Sequence, residues 1–132
     1  MIYLDSSVVL AHVFAEPRAL PELAWREPLI SSRLLEYEVW NRVYARGLAR
    51  SHEAVRTLLR RIDFLELDRP CLARALEPFP VAVRTLDSFH LATIEYIRQL
   101  NMEVALASFD RRMIAAARAL GVPLYDLRAD WD

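Results

Sequence analysis

Short apolar runs along the chain are separated by longer stretches in which apolar residues recur every three or four positions. Ile2-Tyr3-Leu4 is the first run; it ends on Asp5-Ser6-Ser7 and gives way to a helical pattern from Val8 to Phe14. This is the form of the first strand-to-helix unit in a parallel sheet. Glu16-Pro17 and Leu20-Pro21 interrupt the helix, because proline removes a hydrogen bond and clashes with the preceding turn. A short second helical piece is expected after them. Pro28-Leu29-Ile30-Ser31 predicts the second strand, with Ser31 or Ser32 capping a helix that runs to Gly47. From Ser51 another helix carries Val55, Leu58, Leu59 and Ile62 on one stripe and turns Arg56, Arg60 and Arg61 away from it. Phe64 to Leu67 predicts the third strand, and Asp68 with Pro70 opens a short helix through Leu76. A long helix over Thr85 to Leu100 precedes the fourth strand, Val104 to Ala107, which ends in Ser108-Phe109-Asp110. The last helix sets Met113, Ile114, Ala117 and Leu120 on one side, stops at Gly121 and leads through Pro123 into a short Leu124-Tyr125 strand. Strands alternating with helices throughout predict an α/β domain of three layers, α/β/α, with a central, mostly parallel sheet of four or five short strands.

A length of 132 residues suits one domain, 1–132, and is too short for two. No stretch approaches the roughly 20 apolar residues of a membrane span, and the N-terminus lacks the pattern of a signal peptide, so a cytoplasmic protein without a membrane partner is expected. Cys71 is the sole cysteine, which excludes an intramolecular disulfide and a thiolate metal cluster and makes it a small buried apolar residue. The net charge of −1 removes the footprint of a strongly basic nucleic-acid binder, leaving room for a local basic patch. All 17 basic residues are arginine. The chain therefore lacks the lysine that P-loop enzymes, receiver domains and several phosphatases apply to phosphate.

Four acids carry the candidate chemistry. Asp5 and Asp110 follow parallel strands, whose carboxyl ends share one edge of the sheet, where ligands bind in such folds. Each has a structural alternative as the N-cap of the next helix. Asp87 lies one turn into an apolar helix, where free backbone N–H groups and the helix dipole offer it a structural role. For a second helical acid the local pattern leaves two choices, since Glu36 and Glu38 point about 200° apart. Glu36 falls among Val39, Trp40 and Val43. Glu38 sits beside Asn41 and Arg42, with a solvated pair to Arg42 as its ordinary reading. An uncompensated buried carboxylate is costly, so each acid must be exposed, paired or bound to a cation.

Met1-Ile2-Tyr3-Leu4-Asp5-Ser6-Ser7 resembles the opening of a PIN-domain nuclease, and Ser32-Arg33-Leu34-Leu35-Glu36-Tyr37-Glu38-Val39 resembles the second motif of that family. Arg84-Thr85-Leu86-Asp87-Ser88-Phe89-His90-Leu91-Ala92-Thr93 is similar to the third, and Ala107-Ser108-Phe109-Asp110-Arg111-Arg112-Met113 to the fourth. Order and spacing match over nearly the whole chain, and at this length the likeness is to VapC toxins, the stand-alone PIN ribonucleases of toxin–antitoxin pairs. The resemblance selects Glu38 over Glu36 and implies a catalytic quartet of Asp5, Glu38, Asp87 and Asp110 around Mg²⁺ or Mn²⁺. Asp5 and Asp87 are the first-choice metal ligands; Glu38 binds the ion directly or orients a water, and Asp110 completes the site. Oxygen donors without Cys or paired His suit these ions better than zinc. The resemblance further implies an RNA substrate, a cognate VapB-like antitoxin whose peptide occupies the cleft, and a homodimer, which the aromatic and aliphatic content also favours.

The remaining residues carry weaker signals. His90 is expected to be a hydrogen-bonded structural residue rather than a catalytic base, and His12 and His52 lack a supporting constellation. Arg111 and Arg112 are placed to meet RNA phosphate, with ordinary surface charge the reading for at least one. Trp25, Trp40 and Trp131 are core residues or partner anchors. A receiver domain would need a lysine, and a haloacid-dehalogenase-type phosphatase a second Asp where Ser7 stands. The competing reading is a catalytically inactive PIN-like module that only binds RNA or protein.

Overall fold

A computed structural model describes residues 1–47 and 52–127. Its strands are β1 (Ile2–Leu4), β2 (Leu29–Ser32), β3 (Ile62–Leu65) and β4 (Ala105–Ala107), and its helices α1 (Ser6–Val13), α2 (Leu34–Ala45), α3 (His52–Leu59), α4 (Arg69–Ala75), α5 (Thr85–Gln99) and α6 (Arg111–Ala119). A 3-10 turn, Glu22–Arg26, is the short helical piece after Pro21.

The four strands form one sheet in the order β3-β2-β1-β4, every pair parallel. Successive side chains on a strand point to opposite faces, and the core divides accordingly. Ile2, Leu4, Leu29 and Ala107 pack with Val8 and Val9 of α1, Leu35, Val39 and Val43 of α2, and Val55, Leu58 and Leu59 of α3. Tyr3, Ile30 and Leu106 face the other way, onto Leu91, Ile94 and Ile97 of α5 and Met113, Ala116 and Ala117 of α6. Helices thus cover both faces, giving the three layers read from the sequence. None of the described helices is long and apolar enough to cross a membrane.

From β1 the chain winds outward through β2 and β3, then crosses to place β4 on the other side of β1. The order reverses between β1 and β4, and a crevice at such a switch point is where open α/β sheets bind ligands.

Local signals account for most boundaries. Asp68 accepts a hydrogen bond from the Cys71 backbone N–H at 3.4 Å as the N-cap of α4, with Pro70 in its first turn. Gly47 and Gly121 adopt φ of 65° and 72° just beyond α2 and α6, the left-handed stop that glycine makes without strain. Ser32 Oγ accepts from Leu34 N–H at 3.1 Å, whereas Ser31 is buried and donates to the Leu4 carbonyl. Asn101, at φ 60°, ends α5.

Three expectations need correction. The third strand begins at Ile62, which pairs with Leu29, and ends at Leu65 rather than running from Phe64 to Leu67. Ile62 fits the helical stripe by spacing, but α3 stops at Leu59 and the strand takes the next apolar residue into the same core. Arg61 does not simply face away: its guanidinium donates to the Trp25 carbonyl at 2.7 Å and lies over the Trp25 ring. The expected Leu124-Tyr125 strand is a single bridge from Leu124 to Leu106 beside β4.

Candidate active site

At the switch point Asp5 occupies the N-cap position of α1 but its side chain makes no capping bond. Ser7 Oγ and Ser108 Oγ donate to it instead, at 2.9 and 2.6 Å. Both bonds fall on Oδ2, and no hydrogen bond among the described residues reaches Oδ1. Ser7 Oγ also accepts from Phe109 N–H, which ties the segment after β4 to the start of α1, and Ser108 Oγ accepts from Asp110 N–H within its own turn. Asp110 is the N-cap of α6, its Oδ1 accepting from the backbone N–H groups of Arg112 and Met113.

Glu38 projects from α2 toward α5 and α1. Its Oε1 lies 2.5 Å from His90 Nε2 and its Oε2 accepts from Ser6 Oγ at 3.3 Å. Glu36 points elsewhere and pairs with Arg33 at 3.0 Å, a guanidinium that also binds Glu66. The structural alternative for Glu38, a solvated pair with Arg42, gives way to the bond to His90.

Asp87 lies in the first turn of α5 without a capping bond. Burial first, then the charges of Asp110 and Asp5, with a smaller push from Glu38, raise its carboxyl to about 6, while His90 acts in the opposite sense. The carboxyl therefore senses all three of the other acids. Asp5 follows β1, Glu38 sits in α2, Asp87 in α5 and Asp110 ahead of α6; the fold gathers four separate segments onto one edge.

His90 is fully buried beneath this edge, with Nδ1 2.6 Å from the Tyr3 hydroxyl. Burial works against its charge, but the hydrogen bond and charge of Glu38, with Asp5 and Asp87, raise its pKa on balance. Burial pushes the Tyr3 phenol well above its ordinary range, so it stays protonated. The sequence reading assigned no part to Tyr3, Ser6 or Ser108. A usable signal was there for two of them: a Tyr in a buried strand needs a hydroxyl partner, and a Ser after a strand lies within reach of an acid on its neighbour.

Among the described residues no three acid, imidazole or thiol groups stand close enough to hold a metal ion unaided. The donor set still suits Mg²⁺, which keeps several waters and takes one or two carboxylates rather than an all-protein cage. Asp5 offers an oxygen that no hydrogen bond among the described residues engages, and Asp87 carries the penalty of neighbouring charge that a cation would relieve. The single thiol, Cys71, is buried in α4, away from these acids.

Other flagged residues fall outside the cluster. Trp25 is core; Trp40 is partly buried and stacks on Tyr44, with Arg56 over its ring; Trp131 lies outside the described residues. His12 packs on Trp25, and His52 meets Trp40 and Tyr44 edge-on. Arg111 and Arg112 are exposed at the start of α6, beside Asp110.

The family model for the PIN domain matches residues 2–119. Ribonuclease VapC46 of Mycobacterium tuberculosis is 36% identical over 125 residues, covering 92% of this chain and 93% of the relative. Ribonucleases VapC47 and VapC35 of the same organism are 30% and 34% identical, over 129 and 134 residues, with the same shares covered. With four acids at the switch point of a parallel sheet and this match over nearly its full length, the chain belongs to the PIN domain family.

Proposed function

We propose that this chain is a single-domain, VapC-like endoribonuclease toxin that hydrolyses phosphodiester bonds in cellular RNA with Mg²⁺ or Mn²⁺, in the cytoplasm, and is held off by a VapB-like antitoxin. The observation that carries the reading is the convergence of Asp5, Glu38, Asp87 and Asp110 from four separate segments onto one edge of the sheet, near enough for the other three charges to add to burial in pushing the Asp87 carboxyl up. Carboxylates held together at such a cost mark a site where a cation is wanted.

Asp5 and Asp87 would hold the ion, Asp5 through the oxygen that its serines leave free. When bound, the ion lowers the pKa of a water and neutralises charge developing on the phosphate. Ser7 and Ser108 fix the Asp5 carboxylate, so its free oxygen keeps one direction. Glu38, tied to Ser6 and His90, presents its remaining lone pairs to the cleft to accept a proton of the attacking water. Asp110 completes the acidic edge, and its N-cap bonds fix it to the start of α6. Arg111 and Arg112 would meet the flanking phosphates. The antitoxin peptide is taken to occupy this cleft, and the protein to act as a homodimer, the commonest closed symmetry.

Induced expression in a bacterial host tests the reading. Growth arrest with fragmented RNA is expected, relieved by Asp5→Ala, Glu38→Ala or Asp87→Ala in protein that remains folded. Because the acids act as a unit, combining the substitutions should add little. Intact RNA during expression of the parent chain, or arrest that survives all three changes, would overturn it.

A further inference from the structure

His90 has no exposed surface, so it cannot touch water or RNA, and a general-base role is excluded. Yet a polar chain runs through it. Tyr3 Oη accepts from Ser32 backbone N–H at 3.2 Å and lies 2.6 Å from Nδ1; Nε2 lies 2.5 Å from Glu38 Oε1; Glu38 Oε2 accepts from Ser6 Oγ. The chain joins β1, β2, α1, α2 and α5 and leaves no buried side-chain N or O among the described residues unpartnered.

Burying such groups is costly even when they are paired, and apolar side chains of similar size at positions 3 and 90 would often serve packing as well. What the polar chain adds is orientation. Both Glu38 oxygens are engaged from within the protein, which sets the plane of a carboxylate whose side chain remains 18% exposed to the cleft. Nε2 carries the donated proton in either charge state of the ring. In the neutral ring Nδ1 accepts from the Tyr3 hydroxyl, and in the charged ring Nδ1–H donates to its oxygen.

We propose that His90, braced by Tyr3, is a positioning residue that fixes the Glu38 carboxylate for the attacking water. This rests on the nuclease reading and on Glu38 as the group that meets that water. Outer hydrogen-bond partners of this kind are worth about 10- to 100-fold in activity.

The test compares purified parent chain, His90→Gln, His90→Asn and Tyr3→Phe. Gln can carry an N–H donor to the Nε2 position, whereas the shorter Asn cannot. With Mn²⁺ and single-stranded RNA, His90→Asn should lower kcat about 10- to 100-fold with little change in KM. His90→Gln should recover most of the loss at an equal thermal midpoint, and Tyr3→Phe should fall between. Tyr3→Phe removes one oxygen and keeps the ring, so it carries the kinetic test if neither position-90 variant folds. NMR of the metal-free parent should show a far-downfield ¹⁵N-bound imidazole proton that is lost in Glu38→Ala. Equal kcat in His90→Gln and His90→Asn, or parent-like kcat in Tyr3→Phe, would reduce His90 to a packing residue. Absence of the downfield proton overturns the proposal whether or not RNA is cut. A parent chain that shows the proton but leaves RNA intact overturns the nuclease reading instead, and with it the role given to Glu38.

Discussion

Replacing Asp87 by Asn keeps the shape of the side chain and removes the charge that the folded cleft penalises. The carboxyl is held at about 6 against an ordinary 3.8, chiefly by burial and then by Asp110 and Asp5. Between those values the folded protein retains a proton that the unfolded chain has released, so stability falls as pH rises through this window. The full difference is worth about 3 kcal/mol. Asp87 is only half-buried, and solvent screening brings the expected effect to about 1 kcal/mol. His90 has the same sign: its raised pKa contributes stability below the unfolded value that is lost as pH rises through the folded one. The parent's own slope therefore mixes two groups, and the difference between parent and Asp87→Asn carries Asp87 together with its smaller contribution to the His90 shift. Urea unfolding in EDTA should find Asp87→Asn more stable by about 1 kcal/mol near neutral pH, a few degrees in the thermal midpoint. The gap should narrow as pH falls below about 6 and close only toward the ordinary 3.8, where the unfolded chain regains the proton as well. A variant less stable than the parent at both pH values, or a gap that ignores pH, would show that the acids do not burden the fold. A more stable variant that has lost Mn²⁺ would be the trade expected when a site is held together against its own repulsion.

Calorimetry with Mn²⁺ should show weak binding in the parent, lost in Asp5→Asn and Asp87→Asn; parent-like binding in both would mean that the site is misplaced. Ser108→Ala removes a 2.6 Å bond to Asp5 and the acceptor for Asp110 N–H, so it should cost about 1–3 kcal/mol by urea unfolding and weaken Mn²⁺ binding. Loss of neither would deny the serine its bracing role. Asp68→Ala should cost about 1 kcal/mol as an ordinary cap deletion, with Mn²⁺ binding unchanged. Light scattering at micromolar concentration should give a dimer mass, and a monomer would count against the proposed pairing.

The layers were legible because each strand is a short apolar run and each helix carries a stripe, and those patterns need no distant partner. Ile62 shows where this fails: its spacing fits the α3 stripe, and only pairing with Leu29 makes it a strand residue. Asp5, Asp87 and Asp110 could be picked out as acids at strand ends or in an apolar helix. Glu38 could not be separated from Glu36 by spacing; the family resemblance selected it, and the structure turns Glu38 toward His90 and Glu36 toward Arg33. Tyr3 meets His90, and Ser108 meets Asp5, across 87 and 103 residues. A local pattern can say that such a hydroxyl needs a partner but not which one, because these contacts arise only when β1 is flanked by β2 and β4 and packed under α5.

Cleavage of single-stranded RNA by purified chain is the most direct measurement. The parent should cut with Mg²⁺ or Mn²⁺ and stop in EDTA. Glu38→Ala should be inactive, and Glu36→Ala, which loses only a partly buried pair with Arg33, should cut like the parent. Activity that survives EDTA and the loss of Asp5, Glu38, Asp87 and Asp110 in turn would contradict a metal-dependent nuclease built on these four acids.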